Sequence, residues 1–235
     1  MIATGLCEQS PSSASNEHDM TSHASPPLFD REFCSGLERL FAWRRDVRRF
    51  TAQPLADGLL EELIALTALA PSVGYSQPSR FVRVSDAARR AAVAAEYERC
   101  NAAAAQRYEG GRHATYVALK LAGLREAPVH LAAFVDTATL RGEGLGRASI
   151  PEMLAYSTVL AVHTLWLAAR ARGIGVGWVS IVDPATVARI LDVPPAWSLI
   201  AYLCIGYPQE EHLDRELARA GWESADNETT TLVER

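Results

Sequence analysis

Residues 44–50 read Arg44-Arg45-Asp46-Val47-Arg48-Arg49-Phe50. Four arginines in six positions repel one another unless an anion or a carboxylate sits among them. A guanidinium presents a planar fork of donors that suits phosphate oxygens. If the helix over 34–45 runs into this knot, the spacing puts Arg44 and Arg48 on one face and Arg45 one turn from Arg48. Composition by itself favours a solvated helix end in which Asp46 is an internal salt-bridge partner. The sharper reading is a site for a phosphate or a flavin edge.

Outward from the knot, helices outweigh strands and the strands are spread among them. Asp57 is a candidate cap for a helix over Gly58–Ala70, whose Leu59, Leu63, Leu66 and Ala70 follow helical spacing until Pro71. A polar loop, Ser72 to Pro78, leads to a short strand at Arg80–Val84. Asp86 can cap an Ala-rich helix that runs to about Tyr108 and stops at Gly110-Gly111. Residues 112–127 are irregular, Val129–Val135 is a strand, and Gly142, Gly144 and Gly146 mark a loop. Ser149-Ile150-Pro151-Glu152 has the capping-box pattern and opens an apolar helix over 150–172, closed by Gly173. Val176–Ile181 is a strand, Asp183-Pro184 opens a helix to Leu191, and Leu199–Ile205 is the last strand. There is no internal repeat. The expected class is α plus β around one sheet.

The chain has 235 residues and a net charge of −5. A protein built mainly to grip nucleic acid would carry a basic excess, so no nucleic-acid partner is expected. The cysteines at 7, 34, 100 and 204 form no CxxC pair, which argues against a zinc ribbon or a disulfide framework. No HxxxH or HExxH pair supports a helix-borne metal site. Residues 1–30 lack Lys and Arg and read as a disordered leader ahead of one domain over 31–235, with neither a secretory signal nor a transit peptide. The longest uncharged apolar run, Met153 to Ala169, is shorter than a membrane span and contains polar residues. The expected setting is therefore the cytoplasm, with no membrane partner.

Three further stretches could carry chemistry. In Ser72-Val73-Gly74-Tyr75-Ser76-Gln77 the small residues leave backbone N–H groups free to approach a ligand, although a simple turn has the same composition. Gly173-Ile174-Gly175-Val176-Gly177-Trp178-Val179-Ser180 resembles a dinucleotide fingerprint only superficially, because its glycines follow a helix and precede a strand. Such glycines imply close approach by a flat ligand or another backbone, with Ser180 at the strand's end. His163, mid-helix among apolar residues, reads as a core histidine. No nucleophile–base pair is visible, so a cofactor or a reactive substrate should carry the hard chemistry.

Taken together, the knot, Ala-Pro-Ser-Val-Gly-Tyr-Ser-Gln-Pro at 70–78 and Cys-Ile-Gly-Tyr-Pro at 204–208 resemble the FMN-binding nitroreductase family. Leu-Lys-Leu-Ala-Gly-Leu-Arg-Glu-Ala-Pro at 119–128, Gly-Leu-Gly-Arg at 144–147, Pro-Glu-Met-Leu-Ala-Tyr-Ser at 151–157 and Gly-Trp-Val-Ser-Ile at 177–181 are similar to its 5,6-dimethylbenzimidazole synthases, or flavin destructases. The resemblance runs from about Phe33 to Trp222. It implies an α+β nitroreductase-like fold, a mostly antiparallel central sheet flanked by helices, and an intertwined homodimer with FMN at the subunit interface. It implies that reduced FMN is the substrate and O2 the co-substrate. The flavin is fragmented and contracted to 5,6-dimethylbenzimidazole, the lower ligand of vitamin B12, and erythrose 4-phosphate. A separate flavin reductase would supply the reduced FMN. An ordinary FMN-dependent NAD(P)H nitroreductase or quinone reductase is the alternative on the same fold, and a non-enzymatic flavin carrier a more distant one. Carried over by position, Arg44, Arg45 and Arg48 would hold the phosphate and ring edge, Asp46 would be the essential carboxylate, and Ser180 would bond near the reactive part of the flavin. Val47, Ser72, Gly74, Ser76, Gln77, Gly177 and Val179 complete the expected FMN contacts. Arginines beside Asp46 would tune its pKa downward, and residues 108–127 could close as a lid. Ser79 stands where the pattern has Trp.

Overall fold

The structure, a computed structural model, describes residues 26–119, 123–224 and 232–235. Most of the expected leader, residues 1–25, therefore lies outside the described residues. The helices are α1 (Arg31–Trp43), α2 (Leu59–Leu66), α3 (Ala87–Ala105), α4 (Gly110–Ala118), α5 (Gly123–Glu126), α6 (Met153–Arg170), α7 (Pro184–Leu191) and α8 (Glu216–Arg219). The strands are β1 (Ser79–Arg83), β2 (Val129–Asp136), β3 (Gly175–Val179) and β4 (Trp197–Gly206). They form one antiparallel sheet of order β1-β2-β4-β3.

Side chains on alternate positions of β2 and β4 serve opposite faces, as the strand period requires. Leu131, Ala133, Leu203 and Ile205 pack against α2 and α6 through Leu63, Val162 and Leu165. Ala132, Phe134, Tyr202 and Cys204 face the other way, towards Val93 of α3, Leu124 of α5, Val187 of α7 and Phe50. Both faces are covered, so β2 reads as an almost unbroken apolar run rather than an alternation.

Several boundaries differ from expectation for identifiable reasons. α1 begins at Arg31 rather than at residue 34, because Asp30 caps it by accepting from Phe33 N at 2.7 Å. The helix ends at Trp43 because Arg44 turns extended, so Arg44, Arg45 and Arg48 do not share helical faces. Asp57 does not cap α2. Gly58 takes that position with φ 78°, and the last turn tightens into a 3₁₀ turn over Thr67–Leu69. Asp86 and Asp183 do cap α3 and α7, accepting from Arg89 N and Thr186 N. The Ser149–Glu152 pattern forms no capping box: α6 begins at Met153 without a side-chain cap. α3 ends at Ala105, short of the expected Tyr108, and Gly110 and Gly111 open α4, so that 112–118 is helical rather than irregular, as is α5. His163 is exposed, on a face of α6 that also leaves Tyr156, Val159 and Leu160 at 51%, 40% and 41% exposure. Tyr156, Val159, Leu160 and His163 are spaced i, i+3, i+4, i+7, so this is a second apolar stripe, away from the sheet. No helix among the described residues is long and apolar enough to cross a membrane.

Candidate active site

The knot leaves α1 as extended chain and crosses the free edge of β3. Asp46 pairs with Val176 in a parallel bridge, and Val47 N donates to Val176 O at 3.1 Å. Gly175 and Gly177 make this crossing possible. A Cβ at Gly177 would lie 2.1 Å from Val47 O, and one at Gly175 would lie 2.8 Å from Val47 Cγ2. The close approach expected at these glycines is thus made by another backbone. Phe50 is buried beneath the knot and bridges Pro208, anchoring its far end to the segment after β4.

Asp46 is half-buried. Its Oδ1 accepts from Trp178 N at 2.8 Å, and its Oδ2 accepts from Arg48 Nε at 3.3 Å. Burial pushes the Asp46 carboxyl up from its ordinary value, although the Trp178 N–H, Arg48 and Arg44 all pull downward. The arginines therefore moderate the shift but do not reverse it, which corrects the downward tuning expected from their number. Arg44 lies over the Trp166 ring at 5.0 Å from its centroid. Arg45 donates to the carbonyls of Arg44 and Leu213. Arg48 also meets Glu216, whose Oε2 is 3.5 Å from Nε. The cleft beside the knot is rimmed by Trp43, Trp166, Arg170 and the acidic segment from Glu210 to Glu216. Val179 is buried, and Ser180 emerges exposed at the end of β3.

The second group of candidates sits elsewhere. Ser72 Oγ accepts from Gln77 N at 3.1 Å, and Val73 N donates to Ser157 Oγ at 3.0 Å, fixing the loop to the start of α6. Ser76 is 2% exposed and its Oγ has no hydrogen-bond partner among the described residues. Tyr75 and Gln77 have positive φ of 53° and 44°, so the loop is held in a conformation that L-residues rarely adopt. It is buttressed by the 141–146 loop: a Cβ at Gly142 would lie 2.3 Å from Gly74 O. Ser79, in place of the expected indole, donates to Thr158 Oγ1 at 3.2 Å, so this hydroxyl also ties β1 to α6.

Within one chain the structure does not bring the two groups together. The loop is bonded to Ser157, whereas the knot is bonded to Trp166, whose Nε1 donates to Arg45 O at 3.3 Å. Nine helical residues separate these anchors, roughly 13 Å along α6. Glu216 was not legible as a site residue, because it lies in a charged tail without periodicity. Asp46, Arg44 and Arg48 do converge beside β3, and Ser180 follows the last residue of that strand.

The donor set suits a flavin mononucleotide: guanidinium groups for a phosphate, a carboxylate and a hydroxyl at a strand end, and a serine hydroxyl whose bonding is unfilled. A protein 57% identical over 198 residues, covering 84% of this chain and 94% of its own, is the 5,6-dimethylbenzimidazole synthase of Rhodospirillum rubrum. A protein of the same name from Rhodobacter capsulatus is 44% identical over 195 residues, covering 83% of this chain and 94% of its own. Among solved structures, an iodotyrosine deiodinase bound to FMN and 3-iodo-L-tyrosine has a similar fold, with a TM-score of 0.67 at 23% identity over 85% of this chain and 99% of that one. The model of the nitroreductase family matches residues 41–207, from the end of α1 to the segment that pins Phe50, and the chain belongs to that family.

Proposed function

We propose that this chain is a 5,6-dimethylbenzimidazole synthase that consumes reduced FMN and O2. The observation that carries the reading is Asp46, a half-buried carboxylate inside an arginine cluster, fixed by a strand N–H on one oxygen and a guanidinium on the other. A simple hydride shuttle has no need of a carboxylate there. The identity to proteins of that name supports the same reading.

Bound in its reduced form, FMN would supply both the electrons and the ring carbons of the product. The chain's own residues hold and orient it. Arg44, Arg45 and Arg48 neutralise the phosphate and ring edge. Asp46, with its proton affinity raised by burial, is suited to take up a proton and return it. The exposed Ser180 hydroxyl both donates and accepts, so it suits a ring position whose oxygen substituents change. The Ser72–Gln77 loop supplies the remaining contacts from a second copy of the chain, because within one copy it lies too far along α6. The exposed stripe of α6 and the face of α1 that leaves Phe33, Leu37 and Phe41 uncovered are the surfaces such a homodimer would bury. Residues 31–235 act as one domain, with α4 and its flanking turn, 108–119, as the lid over the site and a separate flavin reductase as the source of reduced FMN.

A single-turnover oxidation tests the reading. Photoreduced FMN is bound without oxygen, O2 is admitted, and the small molecules are separated and weighed. Dimethylbenzimidazole is expected. Return of intact oxidised FMN with hydrogen peroxide would overturn the proposal.

A further inference from the structure

The segment after β4 returns across the knot and ends on α4. Glu216, at the start of α8, places Oε2 3.5 Å from Arg48 Nε, the nitrogen that is 3.3 Å from Asp46 Oδ2. The Arg48 side chain is only 14% exposed, so water competes little for it. One N–H cannot donate well to two carboxylates at once. Arg48 is therefore divided between them. Six residues on, Trp222 is clamped. Tyr108 meets its ring edge-on at 5.1 Å, Tyr116 lies at 5.9 Å, and the Arg112 guanidinium covers it at 4.2 Å. Arg112 Nη1 also donates to Trp222 O at 2.6 Å. The strap carrying Glu216 is thus tied to α4 at its far end.

We propose that Glu216 is a positioning residue: it shares Arg48 with Asp46 and so sets how firmly that guanidinium holds the reacting carboxylate, with the Trp222 clamp on α4 fixing the share. The inference deepens the reading of Asp46 as the proton-handling group and rests on it. Asp46 is faced by Arg44 and Arg48 on its own segment, by the Trp178 N–H on β3 and by Cys204 on β4. Burial pushes the Cys204 thiol up to about 12, so it is neutral. Tyr97 of α3 faces Arg48 and is also pushed up, hence neutral. Of the cleft carboxylates, Glu210 pairs with Arg49 and Glu211 with Arg170. Among the described residues, Glu216 is the one carboxylate besides Asp46 within reach of Arg48.

The test reads Asp46 directly. In the full-length protein with ¹³C-labelled aspartate carboxyls, the Asp46 resonance is assigned by its loss in Asp46→Asn and followed against pH. Glu216→Gln keeps the shape and removes the competing charge. The Asp46 midpoint should fall by about 0.5 pH unit, a fraction of what a full arginine partner supplies. Glu216→Asp should restore it towards the wild-type value, which a merely structural role would not produce. Trp222→Ala, which frees the strap from α4, should move the midpoint in the same direction by less. An unmoved midpoint in Glu216→Gln overturns the proposal; if that variant does not fold, an unmoved midpoint in Trp222→Ala does so. The titration needs no turnover, so its failure is distinguishable from an absence of dimethylbenzimidazole, which would sink the functional reading instead.

Discussion

Asp46 is governed by opposing effects of which burial prevails: desolvation favours its neutral form, and a strand N–H with two guanidiniums favours the ion. Asp46→Asn keeps an oxygen for Trp178 N but cannot move a proton. Dimethylbenzimidazole formation should then fall about 10²- to 10⁴-fold, while FMN affinity, measured by fluorescence quenching, stays within a few fold. Because burial raises the folded carboxyl from its ordinary value, the acid limb of the single-turnover rate should lie above that of an ordinary aspartate. The rate should be lost as pH falls through that midpoint. Glu96 behaves in the opposite way. It is buried, accepts from Arg99, Cys100 and Asp183 N, and is held down at about 2. Its contribution to stability is present above its unfolded value of 4.5 and is lost as pH falls from there towards 2. Glu96→Ala should cost about 2 kcal/mol at neutral pH, read from urea denaturation, because Asp183 N loses its acceptor. The arginines and Asp46 were legible in the sequence because they are crowded within six positions. Glu96 was not, since a glutamate in an Ala-rich helix gives no sign of which face it occupies.

At the scale of elements, the crossing of the knot over β3 depends on two missing side chains. Gly177→Ala would drive its Cβ into Val47 O, against backbone that cannot swing aside. The knot should lift from the strand, and FMN affinity should fall at least tenfold in the same quenching assay while the far-UV spectrum holds. Helix caps with a local side-chain signal, Asp86 and Asp183, were readable in advance. The starts of α2 and α6 were not, because Gly58 adopts a left-handed conformation and α6 begins in a turn without a side-chain cap. The end of α1 is set by a tertiary contact, the pairing of Asp46 with Val176, and no pattern within 34–50 encodes that partner.

At the scale of the whole molecule, the knot and the Ser72–Gln77 loop are anchored at separate points along α6, and the uncovered stripe through Leu160 runs between their anchors. If the proposed homodimer forms its site across the interface, Leu160→Glu should yield a monomer by sedimentation and abolish tight FMN binding together. The period of α6 in the sequence showed apolar residues but could not say which of two apolar faces meets the sheet, and so His163 was misplaced. The knot's crossing has one more consequence. Outer strands attract foreign chains through their unmatched amides, and here the Asp46 carboxylate and Val47 N occupy Trp178 N and Val176 O along the open side of β3. The residues read as handling the flavin thus also guard against aggregation. Asp46→Ala, which removes the acceptor from Trp178 N, should form thioflavin-positive assemblies sooner than Asp46→Asn, and chemistry and colloidal safety would be under a single selective constraint.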